Sequence, residues 1–346
     1  MNPRNFSLLS GTRMVLALVI LTAYCFLPAA AMTVTDDAGA VVTLNATPER
    51  IVSLAPSNTE LLAKLGLIDH LVGVTDVCDY PPEVQNLTRI GGYSAISIEK
   101  VAAARPDLVI ASDITPQETV NRLRGLGLHV VVVSPRNIND LERDIHLVGT
   151  LTGSENRADA LATNLSARLL TVAAASPKTN KPTVAHVVWH SPLYVSGNDT
   201  LQNDVIGHAG GVNIFSEKSG WGTVSLEEFL TSNPDIIIVN GGGGMDSTSS
   251  DVILEAFMTN PQYASLAAVK NHRVYAVNAD TISRAGPRIV DATEQVAMHI
   301  HSWHEEQAAA DAADLPATSQ KMPGFAGPAA MLGLGGCIVL VRWGRL

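Results

Sequence analysis

The residues that could do chemistry are few and scattered. His299, His301 and His304 offer imidazoles at metal-ligand spacing, since positions 301 and 304 are neighbours on a helix. They stand beside Glu305 and Glu306 near the end of the body, where a solvated helix face is the better reading, so no metal site is expected. There is no Gly-x-Ser-x-Gly elbow, no phosphate-binding P-loop and no His-Glu-x-x-His. Gly241 to Gly244 lacks the third glycine of a dinucleotide fingerprint and reads as a loop turning after a strand. No nucleophile, base and orienting group fall into one constellation. This pattern favours a binding protein over an enzyme, with no catalytic residue and no resident cofactor.

The elements around these residues alternate. Arg50 to Leu54, Leu71 to Val74, Asp107 to Ala111 and His129 to Val133 read as buried strands with helical patterns between them. Ser57-Asn58 is expected to cap a helix from Thr59 to Leu65, and Gly66 to end it. Residues 154–175 form one long helical pattern without Gly or Pro. A second set of strands follows at Val184–Trp189, Asp235–Asn240 and Arg273–Val277. Strands alternating with helices predict an α/β fold with mostly parallel sheets. The expected architecture is two lobes, 32–153 and 177–307, joined by a connecting helix at 154–176, with a ligand cleft between them.

An internal repeat supports that division. Ser97-Ile98-Glu99-Lys100-Val101 … Pro106-Asp107-Leu108-Val109-Ile110 matches Ser225-Leu226-Glu227-Glu228-Phe229 … Pro234-Asp235-Ile236-Ile237-Ile238 without a gap. The same register places Tyr93 on Trp221. Two similar lobes that face each other make a cleft, and ligands favour domain interfaces and the carboxyl ends of sheet strands.

Composition and the chain ends bound the setting. The 346 residues carry a net charge of −10, which argues against a nucleic-acid partner. Residues 1–31 resemble a secretory signal: Arg4 and Arg13, an apolar stretch from Met14 to Leu27, then Ala29-Ala30-Ala31. A retained membrane anchor is the alternative. Cys25 follows Tyr24 in the apolar run, a poor lipoprotein context. At the other end, a linker at 308–322 leads into Met322-Pro323-Gly324-Phe325, an apolar run to Val341, then Arg342 and Arg345. This segment, 323–346, resembles the archaeal Pro-Gly-Phe sorting signal, in which the tail is cleaved and replaced by a lipid. The alternative is a C-terminal transmembrane helix with its arginines in the cytoplasm. Either way the body is expected at the cell surface, on the outer face of the cytoplasmic membrane, touching the membrane through its anchor only. Cleavage at both ends leaves Cys78 as the only cysteine, expected to be buried. Sequons at Asn45, Asn86, Asn164 and Asn198 suit an exported glycoprotein.

Several motifs together resemble a known family. They are Ile51-Val52-Ser53-Leu54-Ala55-Pro56-Ser57-Asn58-Thr59-Glu60, Cys78-Asp79-Tyr80-Pro81-Pro82, Gly91-Gly92-Tyr93 and Arg105-Pro106-Asp107-Leu108-Val109-Ile110. The likeness continues through Gly210-Gly211-Val212-Asn213-Ile214-Phe215, Trp221 and Arg284-Ala285-Gly286-Pro287-Arg288-Ile289. This set is similar to the periplasmic cobalamin-binding proteins of ABC importers, in the helical-backbone, cluster A-II class that also takes haem and ferric siderophores. The resemblance implies a monomeric substrate-binding protein that captures a corrinoid, cobalamin or cobinamide-like, and delivers it to a permease and ATPase complex. Tyr80 and Tyr93 would line the cleft from the first lobe, and Trp221 would face them from the second. The family carries a tryptophan at the position of Tyr93, so the stacking face would be smaller here, and Ser112 stands where the family places a further aromatic. His190, Tyr194 and Asp280 map near the cleft mouth. His190 could approach a metal centre, and Tyr80 or Tyr194 could ligate haem iron. Arg284 and Asp280 could hydrogen-bond the ligand rim. Glu99 and Glu227, one per lobe, would pair with permease arginines, although an acid also suits the first turn of a helix. Haem or a ferric siderophore is the alternative ligand. A surface enzyme acting on a tetrapyrrole or metal chelate, with His190 and Asp280 as its chemical groups, is the alternative class.

Overall fold

The computed structural model describes residues 31–176, 178–242 and 251–313. Apart from Ala31, both expected targeting segments lie outside these residues. The described chain opens with an antiparallel hairpin, β1 (Met32–Thr35) and β2 (Val41–Leu44), which the sequence patterns did not reveal. Asp36 closes its turn by accepting from the Ala38 and Ala40 amides at 3.0 and 2.7 Å. The other Asp36 oxygen accepts from Arg124 Nη2 at 2.8 Å and the Val132 amide at 3.0 Å, which stitches the hairpin to the first sheet.

The first lobe follows as β3 (Ile51–Ser53), α1 (Pro56–Lys64), β4 (Leu71–Val74), β5 (Gly91–Gly92), β6 (Ala95–Ile96), α2 (Ile98–Ala103), β7 (Leu108–Ala111), α3 (Gln117–Gly125) and β8 (Val130–Val132). Four of these strands form a parallel sheet in the order β4-β3-β7-β8. Their apolar runs are buried on both faces, as a sheet covered by helices requires. Helix α1 starts earlier than expected, and Ser57-Asn58 does not cap it. Pro56 occupies the first turn, where its missing N–H costs nothing. Asn58 is instead buried inside the helix, and its amide donates to the Ala111 carbonyl at 2.8 Å. Gly66, with φ of +69°, does end the helix.

Two helices come next, α4 (Ile138–Thr152) and α5 (Glu155–Ala175), separated by Gly153 in the left-handed region. The second lobe contains β9 (Thr183–His190), β10 (Leu193–Ser196), α6 (Leu201–His208), β11 (Val212–Asn213), β12 (Trp221–Thr223), α7 (Leu226–Ser232), β13 (Ile236–Gly241), α8 (Val252–Thr259), α9 (Ala267–Lys270), β14 (Val274–Asn278), α10 (Ala279–Ser283) and α11 (Ile289–Ala313). Its sheet runs β12-β10-β9-β13-β14, with β11 beside β9. The centre is parallel, while β10 lies antiparallel to both β9 and β12. The terminal helix continues into the stretch expected as linker, where Ala308, Ala309 and Ala310 are strong helix formers.

One compact unit extends as far as Glu305. A single apolar cluster runs from Leu61 and Leu62 of α1 through Ile145 of α4 and Leu165 of α5 to Ile206 of α6 and Ile300 of α11. Helices α5 and α11 are also joined by charge. Arg168 donates to Glu294 at 2.8 and 2.7 Å and to Asp291 at 2.6 Å.

The repeat is physical as well as textual. Helices α2 and α7 begin at equivalent positions, and so do β7 and β13. Ser97 and Ser225 each accept a hydrogen bond from the amide three residues on, at 3.3 and 3.0 Å. Arg105 and Asn233 both take positive φ, +48° and +43°, where the chain leaves the helix. Asp107 then accepts from the Glu49 and Arg50 amides, both at 2.9 Å. Its counterpart Asp235 accepts from the Thr183 amide at 2.8 Å and hydroxyl at 2.7 Å. Each Pro-Asp therefore ties its strand to the start of the neighbouring strand.

Candidate functional site

Of the sequence-predicted site residues, Tyr80, His190 and Asp280 lie at or beyond the carboxyl ends of strands in the two parallel sheets, whereas Tyr93, Tyr194 and Trp221 lie on antiparallel pairs. Tyr80 follows β4, Tyr93 turns between β5 and β6, His190 ends β9, Tyr194 lies on β10, Trp221 starts β12 and Asp280 follows β14. In open α/β sheets the carboxyl ends of the strands are where ligands bind.

Aromatic surface concentrates on the second sheet. Trp221 and Tyr194 lie parallel, with ring centroids 6.4 Å apart and 5° between planes. Both are exposed, at 39% and 36%. Their pairing follows from the ladder: Ser196 is directly opposite Trp221, and Tyr194 is the diagonal neighbour on the same face. Trp189, also exposed, is the cross-strand partner of Tyr194 on β9. Its ring tilts against His190 at 5.1 Å, and its indole N–H donates to the Ser191 carbonyl at 2.8 Å. His190 Nδ1 is buried with no hydrogen-bond partner among the described residues. Behind Trp221 stands His186, fully buried, whose ring meets the indole edge-on at 6.0 Å and 64°. Burial pushes the His186 imidazole down to about 4, against the opposing hydrogen bond to Asn240, so the ring is neutral at pH 7. Neither Trp189 nor His186 was singled out from sequence. A polar residue inside the apolar run Val184-Ala185-His186-Val187-Val188 was the available signal.

In the first lobe, Tyr80 is half-buried under a cation. The Arg288 guanidinium sits 4.2 Å from its ring centroid. Arg288 also donates to Glu60 at 2.7 and 2.6 Å. Arg284 donates to Glu60 at 3.0 Å and to Asp79 at 2.8 Å, and pairs with Asp280 at 2.8 Å. Arg284 and Asp280, expected to hydrogen-bond a ligand rim, are thus paired with each other, and both Nη nitrogens of Arg284 are engaged. Glu60 comes from α1 and the arginines from the segment between α10 and α11, so the cluster clasps the two lobes. Gly286 allows the approach, because a Cβ there would stand 3.2 Å from the Ser57 carbonyl. Burial acts to raise the Asp79 carboxyl, but the Arg284 hydrogen bond and charge outweigh it and hold Asp79 below its usual range.

Tyr93 is half-buried, and its ring has no aromatic partner among the described residues. Ser112 is buried with its hydroxyl unpartnered among them. Glu99 and Glu227 are exposed in the first turns of α2 and α7, and neither has an ion-pair partner among the described residues. Cys78 is buried, hydrogen-bonded to the Thr59 and Thr75 hydroxyls at 3.2 and 3.0 Å, and burial raises its thiol. The three C-terminal histidines do not converge, and no cluster that could hold a metal is found among the described residues. His301 meets Glu305 on the exposed face, whereas His299 stacks on Tyr275 at 3.8 Å and is part-buried. All four sequon asparagines are exposed.

The family profile described as periplasmic binding protein matches residues 51–281. The chain belongs to this family. An uncharacterized ABC transporter substrate-binding lipoprotein of Bacillus subtilis is 30% identical over 278 residues, 78% of this chain and 85% of the relative. A vitamin B12-binding protein of Vibrio cholerae is 30% identical over 254 residues, 73% of this chain and 89% of the relative. The crystal structure of the periplasmic vitamin B12 binding protein of Vibrio cholerae superposes with a TM-score of 0.66 at 28% identity, covering 75% of this chain and 98% of that one. A periplasmic heme-binding protein from Roseiflexus gives the same TM-score at 25% identity, covering 75% of this chain and 99% of that one. The fold class is therefore that of the two-lobed periplasmic binding proteins.

Proposed function

We propose that this chain captures a corrinoid, cobalamin or a cobinamide-like relative, and hands it to the permease and ATPase complex of an ABC importer. The coarser role, a substrate-binding protein of an ABC importer, follows from the family and from the B. subtilis relative. The observation that carries the ligand class is the parallel, exposed Tyr194–Trp221 ring pair on the second sheet. A flat, largely apolar macrocycle needs aromatic walls and few free charges. Here the nearby arginines are already neutralised by Glu60, Asp79 and Asp280. Tyr80 and Tyr93 form the opposite wall in this reading, and the similarity to vitamin B12-binding proteins supports it.

The body is exported and anchored outside the cytoplasmic membrane as a monomer, with lobes at 32–153 and 177–307 about the helix 154–176. Glu99 and Glu227, exposed and repeat-equivalent, are the docking charges for the permease. The single substitution Trp221→Ala tests the ligand wall. It should weaken corrinoid binding at least about tenfold, and unchanged affinity in a titration would remove Trp221 from the cleft.

A second reading, haem, draws on His190. Its buried Nδ1 lacks a partner among the described residues, and imidazole and phenolate are both haem-iron ligands. Haemin binding that is lost in His190→Ala would favour it.

A further inference from the structure

The corrinoid reading uses the exposed face of Trp221 and leaves the buried groups behind it without a role. Those groups form a continuous polar chain through an otherwise apolar sheet. Ser283 of α10 hydrogen-bonds the Asn240 amide at 3.0 Å, and the other end of that amide meets His186 Nε2 at 3.0 Å. His186 Nδ1 meets the Ser196 hydroxyl at 3.2 Å. Ser196 in turn is the cross-strand partner of Trp221. Four elements, α10, β13, β9 and β10, thus converge on one imidazole that touches the edge of the indole.

Such a chain is costly to bury and is retained only if each member is satisfied. It is satisfied here: both ring nitrogens of His186 are paired, from opposite sides, so the ring cannot rotate without losing a hydrogen bond. An apolar side chain at 186 would fill the space without fixing an orientation. We infer that His186 is a positioning residue for ligand binding, locking the plane of Trp221 so that its face is presented before the ligand arrives. Ser283 and Asn240 act through it. This inference rests on Trp221 being a ligand wall. Preorganisation of that kind raises affinity by removing the ordering cost from the binding step.

The experiment uses the full chain with cyanocobalamin as probe. Acrylamide quenching of Trp221 emission is read as the difference from Trp221→Phe. His186→Leu should make Trp221 more quenchable and weaken binding about fivefold or more. His186→Gln, which keeps a polar partner for Asn240, should restore affinity to within about twofold. Ser283→Ala, which leaves the His186 and Trp221 side chains in place, should shift quenching in the same direction as His186→Leu. Unchanged Trp221 quenching in both His186→Leu and Ser283→Ala overturns the inference, whatever the ligand. Trp221→Ala separates the two levels. If it costs tenfold while His186→Leu costs nothing, the positioning role falls and the wall stands. If Trp221→Ala itself changes nothing, the wall falls, and the positioning role with it.

Discussion

Removing the Glu60 carboxylate should unclasp the two lobes. Glu60 is 1% exposed and accepts from Arg288 at 2.7 and 2.6 Å and from Arg284 at 3.0 Å, while the two arginine side chains are 15% and 12% exposed. Removing one partner of a buried ion pair costs about 3–5 kcal/mol, because the other charge is left desolvated. Glu60→Leu is expected to fall in that range. Glu60→Gln keeps the shape and one acceptor but loses the charge, and should cost about 2 kcal/mol. The double substitution Glu60→Leu with Arg288→Leu should cost less than Glu60→Leu alone, because it leaves one fewer unpaired guanidinium. Urea unfolding at pH 7, with unchanged m-values, measures all three. A loss under about 1 kcal/mol for Glu60→Leu, or a double variant worse than the single, refutes the clasp.

Other perturbations follow from particular contacts. Asp144 is buried, and desolvation together with the charge and hydrogen bond of Asp37 raises its carboxyl to about 8, against Arg143. The folded state therefore holds a proton that the unfolded state releases near pH 4. Its contribution to stability is full below about pH 4 and is lost as pH rises through about 8. Asp144→Asn should gain stability over the parent as pH rises from about 5 to about 9, and a pH-independent difference in urea titrations would contradict this. The repeat-equivalent substitutions Asp107→Ala and Asp235→Ala should each cost about 1.5 kcal/mol in the same assay, and a neutral result for both would deny the strand-tying role. Glu99→Ala combined with Glu227→Ala should leave corrinoid affinity intact and impair cellular uptake. Normal uptake would sink the docking role.

Much of the framework was legible in the sequence. Buried β-branched runs such as Val130-Val131-Val132 located the strands, because a parallel sheet covered on both faces needs apolar residues throughout. The repeat located α7 and β13 from α2 and β7, with the capping serines and Pro-Asp ties as its physical content. What stayed hidden depends on long-range partners. Asn58 looks like a cap until Ala111 takes its amide. Arg284 looks free for a ligand until Glu60, far away in sequence, comes to rest beside it. The β1–β2 hairpin is held by Asp36 contacts to Arg124 and Val132, which no local pattern reveals. Trp221 was legible through its repeat register, but Tyr194 as its stacking partner required the β10–β12 ladder.

The purified chain should be titrated in parallel with cobalamin, cobinamide and haemin, following tryptophan quenching and absorbance together. Tight, saturable binding of a corrinoid with haemin weak is the predicted result. The ratio of cobalamin to cobinamide affinity then reports whether the lower base is recognised. Tight binding of haemin alone, with neither corrinoid saturating, would contradict the corrinoid assignment and move His190, Tyr80 and Tyr194 to the centre of an iron-binding site.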